Sequence, residues 1–268
     1  MDEVLLTTLS ETASDLASLR DVDEILTAIC RRSRALLGAD AAYIALRDEQ
    51  RGDTYVRATD GVVSEPFRRL RLPVSAGVGG LVAAEGIPVA TSDYLEDARF
   101  VHTAELDRCV REEGLRAIVG VPLRRGEEVS GVLMGGFRAP RRLEPTEVGW
   151  FQALAAHAAI AIHDRRAEAA ASLHEELARL LVAGGGPAEL LEAIARSTGA
   201  ELELLDADGA RLAGGGAPWR GCEAGEIPVL AGGERLGTLR WSATEPGVGA
   251  DRVELLERGC TILAGQLL

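Results

Sequence analysis

The sequence predicts an α+β protein: an antiparallel sheet with helices on both faces, then a long helix, then a second, reduced α/β domain. Three observations carry this. Ala117–Leu123 and Val129–Phe137 are apolar runs joined by Arg124–Glu128, with Gly126 inside, which reads as a β-hairpin. From Pro145 to Val182 about 38 residues rich in Ala, Glu, Arg and Leu give a helical signal far longer than one small domain needs. Beyond Gly184-Gly185-Gly186-Pro187, parts of the first half recur in shortened form.

The elements follow in order. Residues 3–18 form an amphipathic helix with Leu5, Leu9 and Leu16 on one stripe, and Val22–Leu37 a second, with Ile25, Ile29 and Leu36 inward and Gly38 ending it. Ala41–Leu46 is a strand with Thr54–Thr59 as its hairpin partner, and Phe67–Pro73 reads as a third strand. Val78–Glu85 is a short helix whose glycine-rich start leaves backbone N–H groups free, either as a plain turn or as an anion site. Thr103–Glu113 is a further short helix. After the 117–137 hairpin, Glu144, Pro145 and Glu147 suit a first helical turn, followed by Phe151, Leu154, Ala158 and Ile162 at helical spacing. A helix this long is expected to pair with a second copy of the chain, making a homodimer in which Leu173 and Leu177 take part.

The repeat is specific in its spacing. LLEAIARSTGA (190–200) echoes the helix at 25–39, and Glu201–Asp206 echoes the first strand. Ile227–Gly237 echoes Val121–Gly131, with proline and glycine nine positions apart in both. Gly38 and Pro122 are 84 positions apart but Gly199 and Pro228 only 29, so the second copy is about 55 residues shorter. The expected domains are therefore 1–165, a connecting helix 166–186, and the reduced domain 187–268.

Composition narrows the function. A chain of 268 residues with 47% hydrophobic and 26% charged content has ample core for two domains. A net charge of −13 argues against nucleic-acid contact by this chain, since phosphates need a basic surface. No apolar run is long enough to span a membrane, and the acidic Met1-Asp2-Glu3 is unlike a signal peptide, so the expectation is a cytoplasmic protein without membrane contact. Cys30, Cys109, Cys222 and Cys260 form no CxxC pair and read as reduced thiols. His102, His157, His163 and His174 give no compact metal pattern, and the acid pairs Glu96-Asp97 and Glu112-Glu113 read as solvated charge.

The order strand, turn, strand, helix over 115–165, preceded by Gly77–Ala83 and Ser92–Phe100, resembles the GAF family. That resemblance implies a GAF-type sheet with a pocket under a cover of short segments. It places Tyr43 and Ala45 on the pocket side of the first strand and Ile44 and Leu46 on the other. The cover would contribute Leu81, Tyr94, Phe100, His102, Leu106 and Cys109, and the hairpin Ile118, a mix suited to a small organic effector. Other GAF activities fit less well. Free methionine sulfoxide reductases use paired cysteines, and Cys109 has no partner in 77–84. Haem sensors use a cover histidine, but His102 beside Thr103 also reads as an ordinary surface residue. Cyclic-nucleotide GAF domains carry Asn-Lys after the hairpin, where this chain has Gly136-Phe137-Arg138. The two-part layout resembles the N-terminal region of purine-catabolism-type (PucR/CdaR) transcription regulators. It implies an effector-sensing, dimeric region, with no cofactor and no enzymatic activity, that reaches DNA only through a downstream helix-turn-helix absent from this chain. A ligand-free dimerisation module is the competing reading.

Overall fold

A computed structural model describes residues 22–48, 51–73, 75–215, 223–243 and 250–267. The helix expected at 3–18 lies outside the described residues. Two compact units, 1–165 and 166–268, divide the chain.

In the first unit, α1 (Val22–Leu37) precedes β1 (Ala41–Asp48) and β2 (Asp53–Asp60). Asp23 and Glu24 sit in its first turn, where negative charge meets the helix dipole. Pairs from Arg57 to Asp23 (2.6 Å) and from Arg34 to Asp60 (2.8 Å) clip the helix to β2. Next come α2 (Glu65–Arg68), β3 (Arg71–Pro73), α3 (Gly77–Glu85), β4 (Val89–Thr91), a 3₁₀ turn at Tyr94–Glu96, α4 (Ala104–Glu113), β5 (Ala117–Arg125) and β6 (Glu128–Phe137). The sheet order is β3-β2-β1-β6-β5-β4, with every neighbouring pair antiparallel.

The strand expected at 67–73 is a correction: its first residues are helical. Ser64 caps α2 through its side chain, and a proline in the first turn favours helix over strand. Only Arg71–Pro73 is left to pair with β2.

Side chains alternate across β1, as a period of two requires. Ile44 and Leu46 join Ile25, Ile29, Val119 and Phe151 in the core that α1 and α5 (Pro145–Val182) cover. Tyr43 joins Phe67, Val82, Tyr94 and Leu106 in a separate core on the opposite face, under α2, α3 and α4. The sheet thus carries helices on both faces.

α5 is 38 residues long. Its first part gives Phe151, Ala155, Ala158 and Ile162 to the first core, whereas Leu173 and Leu177 lie in the core of the second unit. The length that suggested a partner chain is therefore accounted for within the chain, because each end of the helix serves a different unit. Leu173 and Leu177 are buried at 3% and 1% exposure and are not an exposed dimer seam.

The second unit adds α6 (Pro187–Thr198), β7 (Glu201–Asp206), β8 (Arg211–Gly214), β9 (Glu223–Ala231), β10 (Glu234–Ala243) and α7 (Ala250–Leu267). Its order, β8-β7-β10-β9, repeats the central β2-β1-β6-β5 of the first sheet. The hairpins share a register: Pro122 faces Val132 and Leu123 faces Gly131, as Pro228 faces Thr238 and Val229 faces Gly237. Both copies also shift register at the same place on their first strand, between Ile44 and Ala45 and between Leu204 and Leu205. What the second copy lacks is the span that builds β3, β4 and the three short helices.

Candidate functional site

The missing span marks where the first unit differs, and a cavity of about 40 Å³ lies there between the sheet and its cover. Tyr43 and Ala45 on β1, Ile118 on β5 and Met134 on β6 form its floor. Register explains the grouping, since Tyr43 pairs directly with Met134 across β1 and β6. The first turn of α3, Tyr94 and Leu106 close it from above, and Phe67 and Val110 line it as well. Tyr43 and Phe67 meet edge to face with centroids 5.0 Å apart.

Of the nine residues expected from the sequence, Tyr43, Ala45, Tyr94, Leu106 and Ile118 line this cavity. Leu81, Phe100, His102 and Cys109 belong to the cover but do not line it. Phe100 is buried and tilted against the Tyr94 ring, centroids 5.7 Å apart, and the His102 ring lies tilted against the same ring at 4.8 Å. Leu81 is partly buried against the same core. Cys109 is buried on α4, where burial pushes its thiol up and away from the reactive thiolate. Phe67, Met134 and the Val78–Gly80 turn were missing from the sequence expectation. The Ser64-Glu65-Pro66 helix start could have placed Phe67, and pairing β1 with β6 could have placed Met134.

Polar groups around the cavity are few. Tyr94 is 1% exposed, with its hydroxyl oxygen beside the Asp107 carboxylate. A Cβ on Gly77 would lie 3.5 Å from that oxygen, so the phenol points at the start of α3. Gly77 itself has φ +62, a conformation that strains any other residue, and a Cβ there would press on the Leu106 side chain at 2.5 Å. α3 begins without a side-chain cap. Burial, and then the charge of Asp107 and a hydrogen bond to its carboxylate, push the Tyr94 phenol well above its ordinary range; burial does the same to Tyr43. Both are neutral phenols that can donate.

Charge is kept at the margins and is neutralised there. Glu113, expected to be solvated, is instead 2% exposed. It accepts from the backbone N–H groups of Val63 (3.0 Å) and Ser64 (2.7 Å) and from the Arg138 guanidinium (2.5 Å). Arg99 holds the Asp97 carboxyl well below its usual range, and Arg116 does so for Asp93. No group of His, Cys, Asp and Glu able to hold a metal ion occurs among the described residues. No helix among the described residues is long and apolar enough to cross a membrane.

The corresponding face of the second sheet is built otherwise. By the shared register Glu203 stands where Tyr43 does, Arg240 where Met134 does and Glu226 where Gly120 does. Arg240 pairs with Glu226 at 2.8 Å and approaches Glu203 at 3.7 Å, and Arg211 approaches Glu203 at 3.9 Å. A ladder of opposite charges crosses four strands where the first unit has an apolar floor, so this face needs no cover.

The strand order, the helices on both faces and the cover of short segments define the fold of a sensory domain of the kind found in signalling proteins. The GAF domain family profile matches residues 20–163, over half of the chain. This chain belongs to the GAF domain family. It is similar in fold to the GAF domain of a phosphoenolpyruvate-protein phosphotransferase (ptsP) from Coxiella burnetii. That likeness has a TM-score of 0.54 and 24% identity, covering 62% of this chain and 96% of that one. A free methionine-R-sulfoxide reductase from Neisseria meningitidis, solved with its substrate, has a TM-score of 0.51 and 18% identity, covering 60% and 89%. In sequence, 88 residues are 35% identical to the HTH-type transcriptional activator RamA of Corynebacterium glutamicum, covering 33% of this chain and 31% of RamA. The chain thus spans about a third of that curated relative.

Proposed function

We propose that this chain is the sensory region of a transcription regulator, with a layout like that of the purine-catabolism type. Its first unit binds a small organic effector between the strand bearing Tyr43 and the cover, and α5 transmits the change. The observation that carries this reading is the uncharged cavity between sheet and cover in the first unit, set against a charged ladder at the same place in the second. The partial likeness to a helix-turn-helix activator supports the regulator part, with DNA contact made by a separate segment. We assign the chain no reaction: Cys109 is buried and faces no second thiol among the described residues.

The test is native mass spectrometry of the purified chain together with thermal shifts against a metabolite library. A hundredfold excess over Kd should stabilise the folded state by about 2.7 kcal/mol, several degrees for a unit of this size. Tyr43→Trp fills the floor and should abolish the shift. A library with no hit, and no retained mass, would leave the ligand-free dimerisation module as the reading. A Soret band would overturn both.

A further inference from the structure

We infer that the Met134 thioether sets the size of what the first-unit cavity accepts, and that the guest is a compact, uncharged, apolar molecule that enters by displacing it. This rests on the sensor reading above and adds the class of ligand and the residue that selects it.

Met134 fills a slot that two glycines leave open. It stands on β6 directly opposite Gly120 on β5. A Cβ on Gly120 would meet the Met134 sulfur at 2.7 Å, and one on Gly79 of α3 would lie 3.8 Å from both the sulfur and the terminal methyl. Neither glycine has the positive φ that would call for glycine on backbone grounds. What both supply is room, and the thioether lies in it, 3% exposed. The chain has one other methionine, Met1, and neither of the other two described cores contains one.

The volume requires a side chain to move. An apolar cavity that holds benzene measures about 150 Å³, whereas this one is about 40 Å³. Most of its wall is fixed. Tyr43 is set edge to face against Phe67, and Tyr94 is bound to the Asp107 carboxylate and packed by the Phe100 and His102 rings. Val78 and Ile118 are β-branched and stiff at χ1. Met134 is the one long unbranched side chain on the wall, with three rotatable bonds and a polarizable sulfur. It fills the gap when the site is empty and turns aside most readily when a guest arrives.

The wall also excludes charge. No lining residue carries one. Thr54 donates its hydroxyl to the Leu72 carbonyl, Tyr94 is engaged with Asp107, and Tyr43 is a phenol kept neutral by burial. The ions at the margin are already paired, Glu113 with Arg138 and Asp107 with His102. A carboxylate, phosphate or ammonium would lose its hydration here and find no counter-charge to replace it.

Methyl NMR of the full chain tests this directly. Labelling at methionine gives two methyl signals, and Met134→Leu identifies the one that belongs to Met134. The probes are benzene, benzoate and benzylammonium. Benzene at millimolar concentration should move the Met134 methyl and bind about tenfold or more tighter than either ion. Met134→Ala opens the slot and should bind benzene about tenfold more tightly than the wild type. Gly120→Ala puts a methyl where the sulfur lies and pushes the thioether toward the cavity, although Gly120 is not itself a lining residue. It should bind benzene about tenfold more weakly. If Met134→Ala fails to fold, Gly120→Ala and the wild-type methyl shift still decide. No benzene binding to wild type or Met134→Ala, a Met134 methyl that benzene leaves unmoved, an ion that binds as tightly as benzene, or unchanged benzene affinity in the variants overturns the inference. A library hit that binds the first unit without moving that methyl overturns it too, with the sensor reading intact. No library hit and no retained mass, with benzene entering as described, keeps the inference and sinks the sensor reading.

Discussion

His102 Nδ1 lies 2.9 Å from the Asp107 carboxylate, while its Nε2 lies 3.2 Å from the Asp97 carbonyl. Both oxygens can only accept, so the ring satisfies both contacts when both nitrogens carry protons. The pKa of His102 is accordingly raised above 6.5, first by Asp107 and then by the Asp97 carbonyl. The groups packed on it are Asp107, Asp97 and the Tyr94 ring, so its charge state bears on the cover. Because the folded value is the higher one, the stabilisation is full below pH 6.5 and is lost as pH rises through the raised folded value. Thermal melts of the wild type should fall more between pH 6 and pH 9 than those of His102→Gln. An NMR titration placing His102 below its ordinary value would sink this.

A second prediction concerns Glu113, which ties the loop before α2, the end of α4 and the exit of β6 into one knot. Arg138→Met leaves a carboxylate enclosed with two N–H donors and no cation. The loss should be about 2–3 kcal/mol, at the low end for buried pairs because Arg138 itself is about a third exposed. Urea unfolding of the first unit measures it, and a change below about 0.5 kcal/mol would show that the pair with Arg138 does not hold this knot together.

What was legible and what was not divides along distance in the chain. The alternation that puts Tyr43 and Ala45 on one face of β1 and Ile44 and Leu46 on the other is local, and it was readable. The hairpins were readable for the same reason. Glu113 was not, because its partners come from Val63 and Arg138, 50 and 25 positions away. Its neighbour Glu112 is exposed, and the two look alike in sequence. The length of α5 was legible to the residue, but its partner was not. Periodicity shows that a stripe must be buried without showing whether this chain or another buries it. Likewise Phe100 and Tyr94 are both cover aromatics, and only the packing shows that Tyr94 lines the cavity while Phe100 does not.

The dimer expectation moves to a different face of α5. Leu173→Asp should unfold the second unit, since Leu173 lies in its core. A seam between copies, if α5 forms one, must use outward positions such as Ala156 and Ile160, the latter 52% exposed. Ile160→Glu should convert a dimer to monomer in light scattering at tens of micromolar with little change in melting temperature. A wild type that is already monomeric there removes the seam altogether.

The last prediction tests whether the two sheets share their construction. Gly131 on β6 faces Leu46 on β1, and Gly237 on β10 faces Asp206 on β7, each one residue past the register shift of its neighbour strand. In both places the absent side chain is what lets the strands approach. A Cβ on Gly131 would meet the Ala45 carbonyl oxygen at 2.6 Å, and one on Gly237 the Leu205 carbonyl oxygen at 2.3 Å. Backbone cannot swing aside as a flexible side chain can, so alanine at either site forces the sheet apart. Gly131→Ala should destabilise the first unit and Gly237→Ala the second, each by about 1–3 kcal/mol. Gly149→Ala is the control. It lies in α5 with nothing within 4 Å of its would-be Cβ, so alanine there should stabilise by about 0.5–1 kcal/mol. Denaturant unfolding of single-tryptophan variants that keep either Trp150 in the first unit or Trp241 in the second, with the other tryptophans including Trp219 replaced by phenylalanine, reads the effects separately. If Gly131→Ala is neutral while Gly237→Ala is costly, the matching registers do not reflect the same strand contact, and the second unit is not a stripped copy of the first.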